Sequence, residues 1–145
     1  MEPKGKTVMV TGGASGLGEA CVRRFISEGA KAAVLDLDGD KGRRLVDELG
    51  SRVIYAEADV TSEQSVQAAV DRTIAEFGGL HVLINCAGVG TPAKVLGKNG
   101  PMALEHFSRV VQINLTGTMN VIRLAVAKMV ENTPNADGEK GVVIN

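Results

Sequence analysis

Five short apolar runs, at residues 7–10, 32–35, 53–56, 82–84 and 142–144, recur along the chain without alternating with polar residues. A strand with one wet face would alternate, so these runs suit strands covered on both faces, as in a parallel sheet. Between them lie stretches of helical period, at about 17–28, 40–49, 62–77 and, longest, 104–131. Parallel neighbours need crossovers. Right-handed crossovers around a central first strand give an α/β, Rossmann-like doubly wound sheet with helices on both faces.

The local signals agree with that plan. Gly29, Gly50 and Gly78 each stand just past a helical stretch, where a left-handed residue ends a helix without steric penalty. Thr61 with Gln64 reads as a capping box opening the third helix. Residues 132–140 read as a polar loop, and no repeat or linker interrupts the 145 residues, so a single domain is expected.

Charge narrows the partners. The net charge is −1 and no run of like charge occurs, so neither nucleic acid nor a membrane surface is expected. The apolar stretch 115–130 carries Asn120, Arg123 and Lys128 and is expected to fail as a membrane span. Within it, Met119 to Val130 is apolar on more than one face, which predicts a homo-oligomer, a dimer or tetramer, for the full-length protein. Two cysteines far apart in sequence, outside any Cys-x-x-Cys or His-rich context, suggest neither a disulfide framework nor a metal site. The start resembles neither a signal peptide nor an Arg-rich transit sequence, so a cytoplasmic location is expected, with the mitochondrial matrix the alternative in a eukaryote.

Chemistry enters directly after the first strand, at Thr11-Gly12-Gly13-Ala14-Ser15-Gly16-Leu17-Gly18. A pyrophosphate is negative, and a helix N-terminus offers unpaired N–H groups and the positive end of its dipole. Gly12 would make the turn, Gly16 would admit the pyrophosphate, and Gly18 would pack the helix on the sheet. Asp36 ends the second strand, where a carboxylate accepts hydrogen bonds from ribose hydroxyls, and it would repel the 2′-phosphate of NADP. Neither Ser15 nor Leu37 supplies a compensating cation, so NAD is the expected cofactor. Asp59-Val60 after the third strand, and Asn85-Cys86-Ala87-Gly88 after the fourth, lie at the carboxyl ends where open sheets bind ligands. Ordinary turn and cap chemistry is the competing account of each. Lys94 and Lys98 lie in a long loop, 89–103, either as contacts to a CoA phosphate or as solvated surface lysines.

The spacing Gly-x-x-x-Gly-x-Gly, the Asp59-Val60 pair, Asn85-Cys86-Ala87-Gly88 and Asn114 in Val111-Gln112-Ile113-Asn114-Leu115 together resemble the short-chain dehydrogenase/reductase family. More narrowly, Ala58-Asp59-Val60-Thr61-Ser62-Glu63 and Asn120-Val121-Ile122-Arg123-Leu124 resemble its type 2 3-hydroxyacyl-CoA dehydrogenases, which also act on hydroxysteroids. The resemblance implies an NAD-dependent oxidoreductase acting on a small hydroxy or keto substrate. It implies that Ser15, Leu17, Asp36, Asp59, Val60 and Cys86 line the NAD site, with Asp59 and Val60 at the adenine and Cys86 near the ribose. Much of the family has an asparagine at Cys86, so no reactive-thiol role is expected there. Of the family's catalytic Ser, Tyr, Lys and Asn, only Asn114 is present, and the equal alternative for Asn114 is a polar residue that bends a long helix. The one tyrosine, Tyr55, lies in the third strand with Asp59 four residues on, so it is not the Tyr-x-x-x-Lys pair. The chain is therefore expected to stop before the catalytic Ser and Tyr-x-x-x-Lys. Two rivals stand beside the oxidoreductase: a module that binds NAD without turnover, and a structural or regulatory Rossmann-like protein.

Overall fold

A computed structural model describes residues 1–145. Strands β1 (Thr7–Thr11), β2 (Lys31–Asp36), β3 (Val53–Glu57) and β4 (Val82–Asn85) alternate with helices α1 (Gly16–Ser27), α2 (Gly39–Leu49) and α3 (Glu63–Phe77). A small antiparallel hairpin, β5 (Leu96–Gly97) and β6 (Gly100–Pro101), follows. Then come α4 (Leu104–Val111), a π-helical segment (Gln112–Gly117), α5 (Thr118–Met129) and β7 (Val142–Ile144). The main sheet is wholly parallel in the order β3-β2-β1-β4-β7.

The unbroken apolar runs have the expected cause. In β1, Val8, Met9 and Val10 are all fully buried. Met9 joins Ala33, Leu35 and Leu83 under α3 and α5, whereas Val8 and Val10 join Val34 and Ile84 under α1 and α2. Each such side chain contributes about 1.5–3 kcal/mol by leaving water.

Four local expectations need correction. Helix α3 is capped by Ser62, whose hydroxyl accepts from Ser65 N at 3.3 Å, and the proposed box of Thr61 with Gln64 does not form. Thr61 is spent elsewhere, since its hydroxyl donates to Asp59 Oδ1 at 2.8 Å. The stretch 89–103 is not a plain loop but carries the β5–β6 hairpin, with Lys94 and Lys98 exposed. The long helix widens to π geometry around Asn114 and ends at Met129. Counted from Leu104, it is a 26-residue helix long and apolar enough to cross a membrane by length and composition, which the shorter stretch 115–130 concealed. In this fold it lies along the sheet with Val121, Ala125 and Met129 buried. Its polar residues are also engaged: Asn120 Nδ2 donates to Val60 O at 2.9 Å, and Arg123 bridges Glu63 at 2.7 Å.

The lead into β4 carries a pH-sensitive joint. His81 Nδ1 accepts from Thr7 N at 3.2 Å, and His81 N donates to Thr7 O at 3.0 Å. Burial, with a smaller push from Lys6, holds the imidazole below its ordinary pKa. The unfolded chain takes up a proton as pH falls through about 6.5, before the folded chain does, so stability declines below that pH. Urea midpoints are expected to drop between pH 7.5 and 5.5. His81→Asn, which keeps an acceptor without titrating, should flatten the decline; an equally steep loss in that variant would clear His81 of the effect.

Candidate cofactor site

The carboxyl ends of β1, β2, β3 and β4 open into one cleft of about 490 Å³, within the range of small-molecule sites. Its floor is the turn from β1 to α1. Gly12 has φ +62 and Gly16 has φ +54, left-handed conformations that favour glycine. A Cβ on Gly12 would stand 2.8 Å from Ala87 N, so the turn and the segment after β4 touch backbone to backbone. A Cβ on Gly18 would overlap the Gly12 carbonyl oxygen, so this glycine lets α1 close onto the turn itself. Gly13, which sequence reasoning passed over, is just as confined, since a Cβ there would lie 2.8 Å from Val10 O.

Around Gly16 nothing lies within 4 Å of where a Cβ would stand. Helix α1 begins there with Ser15 as N-cap, and the Ser15 side chain makes no capping hydrogen bond. The first-turn N–H groups therefore lack side-chain partners at the positive end of the helix dipole, beside an open space. That arrangement fits a pyrophosphate.

Asp36 stands at the end of β2. Its Oδ2 accepts from Ala14 N and its Oδ1 from Asp38 N, each at 3.1 Å. Each oxygen of an ionised carboxylate has about two acceptor positions, so one on each remains for a ligand. The backbone beneath is fixed by Tyr55, whose hydroxyl donates to Asp36 O at 2.9 Å. The Tyr55 ring presses on Gly42 of α2, where any Cβ would overlap it. Lys41, whose charge acts on Asp36, is held by Asp38 at 2.8 Å.

At the next strand end, Asp59 Oδ1 accepts from Thr61 N at 2.9 Å, while Asp59 N donates to Ser65 Oγ at 3.0 Å. Val60 is pinned by Asn120 at its carbonyl and by Gly117, where a Cβ would come 2.7 Å from Val60 Cγ2. Cys86 N donates to Thr11 O, and Ala87 N to Thr11 Oγ1, both at 3.1 Å. Burial pushes the Cys86 thiol up, away from thiolate.

The fold thus brings Gly12, Ser15, Gly16, Leu17, Gly18, Asp36, Asp59, Val60, Cys86, Ala87 and Gly88 to one cleft. Two predicted residues stand outside its lining. Asn85 turns along the sheet, accepting from Thr11 Oγ1 at 3.5 Å and donating to Asn145 Oδ1 at 2.8 Å. Asn114 clasps the backbone of Val89, accepting from its N and donating to its O at 2.9 Å each. Its amide is thus spent on another segment, while its own helix widens to π geometry there; Val89 in turn lines the cleft.

Sequence reasoning missed Leu35, Leu37, Ala58, Val89, Arg109 and Ile113 in the lining. Arg109 and Ile113 lie four apart on the helix leading to Asn114, a spacing that could have placed both on one face. Leu17 and Leu37 are 82% and 67% exposed at the cleft, apolar surface set out for a ligand rather than for the core.

Comparison with known proteins bears on the fold and the family. The profile for "short chain dehydrogenase" matches residues 6–145. The chain is 44% identical over 144 residues to the 3-hydroxyacyl-CoA dehydrogenase type-2 of Drosophila melanogaster, covering 98% of this chain and 56% of that one. The Homo sapiens protein of the same description is likewise 44% identical, with 55% of it covered. The crystal structure of 3-hydroxyacyl-CoA dehydrogenase type-2 from Mycobacterium avium superposes with a TM-score of 0.91 at 34% identity, covering 99% of this chain and 57% of that one. A 3-ketoacyl-(acyl-carrier-protein) reductase from Brucella melitensis, complexed with NADH, gives 0.86 at 31% identity, covering 97% of this chain and 56% of that one. The chain spans about half the length of the curated relatives it matches. By fold, cleft and sequence, it belongs to the short-chain dehydrogenase family.

Proposed function

We propose that this chain forms the NAD-binding half of an oxidoreductase that moves a hydride between a secondary alcohol and NAD, with 3-hydroxyacyl-CoA or a related hydroxy compound as substrate class. The observation that carries the choice of NAD is Asp36, a carboxylate with one free acceptor position on each oxygen and a neighbouring Lys41 already paired with Asp38. It would accept from the ribose hydroxyls and repel a 2′-phosphate. The α1 N-terminus would hold the pyrophosphate, with Leu17 and Leu37 excluding water and Asp59, Val60 and Cys86 setting the cofactor's orientation. The nicotinamide, when bound, supplies or accepts the hydride. The similarity to 3-hydroxyacyl-CoA dehydrogenases supports the substrate class.

The test is calorimetric titration with NAD and, separately, NADP, after circular dichroism shows a folded chain. NAD is expected to bind at least about tenfold more tightly, about 1.4 kcal/mol. Equal affinities would remove Asp36 from its role, and a folded chain that binds neither would overturn the cofactor reading.

One observation favours binding without turnover for these residues taken alone. Tyr55, the only tyrosine, is buried and donates to the Asp36 carbonyl, so no phenol reaches the cleft as an acid or base. Hydride transfer is accordingly not expected from this chain by itself. Asn114 takes the catalytic role that family resemblance assigns only once partners join it.

The helical stretch Leu104–Met129 leaves Leu104, Phe107, Leu115 and Met119 exposed. We assign this apolar surface to contact with a second copy in the full-length protein, forming a homo-oligomer. Sedimentation of that protein should show a dimer or tetramer; a monomer at micromolar concentration would refute the assignment.

A further inference from the structure

A buried amide holds the strand end that the cofactor's base would meet. Asn120 is 9% exposed and shares the first turn of α5 with Val121, which is fully buried. An amide in such surroundings costs free energy unless it is paired, so an apolar residue would serve packing alone better. The pairing is specific. Asn120 Nδ2 donates to Val60 O at 2.9 Å, and no other donor reaches that carbonyl. Arg123 fixes which way the amide faces: its Nε and Nη2 donate to Asn120 Oδ1 at 3.2 and 2.8 Å, and Nη2 also bridges Glu63 of α3 at 2.7 Å. With Oδ1 taken by the guanidinium, the donating side of the amide is left for Val60.

The same helical stretch grips Val60 a second time. Gly117, three residues before Asn120, comes so close that a Cβ there would stand 2.7 Å from Val60 Cγ2. From α3, Ser65 Oγ accepts from Asp59 N at 3.0 Å. Helices α3 and α5 thus hold one residue each of the Asp59-Val60 pair, and the bridge from Arg123 to Glu63 ties the two helices together. Both residues line the cleft, and two of their polar groups stay unengaged: Val60 N–H, a donor, and Asp59 Oδ2, an acceptor. Adenine offers an acceptor at N1 beside a donor at N6, the complement of that pair. Hypoxanthine offers N1–H beside O6, the reverse.

We propose that Asn120, oriented by Arg123 and Glu63, is a positioning residue that sets Asp59 and Val60 against adenine and so makes the cleft prefer adenine to hypoxanthine. It touches no cofactor atom and acts only through the Val60 carbonyl. Released from Asn120, the Val60 peptide is free to turn, and its N–H no longer stands at a fixed place against the base. Discrimination between the purines then falls, while Asp36, at the end of β2, keeps its own discrimination at the ribose. This role rests on the NAD reading above.

Calorimetry with NAD, NADP and nicotinamide hypoxanthine dinucleotide separates the two corners of the cleft. The wild-type chain should bind NAD at least about tenfold more tightly than the hypoxanthine analogue. Asn120→Leu, close in volume but without the donor, should bring that ratio to within about threefold and leave the ratio of NAD to NADP affinity at its wild-type value. Arg123→Ala should lower the base preference in the same direction, and Arg123→Lys, which keeps a cationic donor, should restore most of it. If circular dichroism shows Asn120→Leu unfolded, Arg123→Ala decides, because that side chain is half-exposed. A folded variant with the wild-type base preference refutes the positioning role. Equal losses in both ratios refute it as well, since Asn120 would then support the whole cleft. Wild type that binds NAD and the hypoxanthine analogue equally refutes it with the NAD reading intact. Wild type that binds neither overturns the cofactor reading, and the role falls with it.

Discussion

Gly18→Ala is expected to destabilise the chain by about 1–3 kcal/mol and to lower NAD affinity more than tenfold. The added methyl would overlap the Gly12 carbonyl oxygen and lie 2.7 Å from the Gly12 carbonyl carbon and 2.9 Å from Gly13 Cα. All three are backbone atoms, so no side-chain rotation relieves the clash, and α1 must lift off the turn. Alanine would ordinarily gain about 1 kcal/mol in a helix, which is too little to offset that cost. Gly16→Ala is the informative contrast. Nothing lies within 4 Å of its added methyl, so the folding penalty is confined to the left-handed backbone at φ +54, about 1–2 kcal/mol. The methyl nevertheless occupies the space proposed for the pyrophosphate. Urea unfolding and calorimetry together test the two variants: Gly16→Ala should lose no more stability than its left-handed backbone costs, about 1–2 kcal/mol, yet bind poorly. If Gly18→Ala unfolds and binds like wild type, the close approach of helix and turn has no energetic consequence.

Asp36→Ala should weaken NAD binding by roughly tenfold to hundredfold, the value of one charge-assisted hydrogen bond at about 1.5–3 kcal/mol. It should also narrow the gap between NAD and NADP, because the carboxylate that repels a 2′-phosphate is gone. The substitution strands Ala14 N and Asp38 N, which donate to Asp36, so part of the loss could come from a loosened turn. Asp36→Asn separates the two causes. It keeps an acceptor for one of the two N–H groups and removes the charge, so stability should recover in part while the preference for NAD remains diminished. An Asp36→Ala chain with an unchanged ratio of NAD to NADP affinity would show that discrimination lies elsewhere.

The glycine turn was legible because its requirement is local: backbone conformation and the absence of a Cβ are properties of the residues themselves. Asp36 was legible for a related reason, since its place at a strand end follows from the apolar run before it. Asn85 was misplaced by the same reasoning. Position at a strand end does not say which way a side chain turns, and Asn85 found its partners along the sheet in Thr11 and Asn145. Arg109 was missed because helix residues reach the cleft only once the helix is docked. The helix cap slipped by one residue, from Thr61 to Ser62, because Asp59 claimed the threonine hydroxyl first.

The sequence by itself determined the order of strands and helices, the two-sided burial of the sheet and the glycine turn that opens α1. These follow from periodicity and from local steric rules that act within a few residues. Only the tertiary structure decided which side chains meet across elements: Asn114 on Val89, Tyr55 on Asp36, and Asn120 on Val60. The reason is physical. Such contacts depend on how helices settle against the sheet, an arrangement set by the packing of many side chains together and carried by no single stretch of the chain.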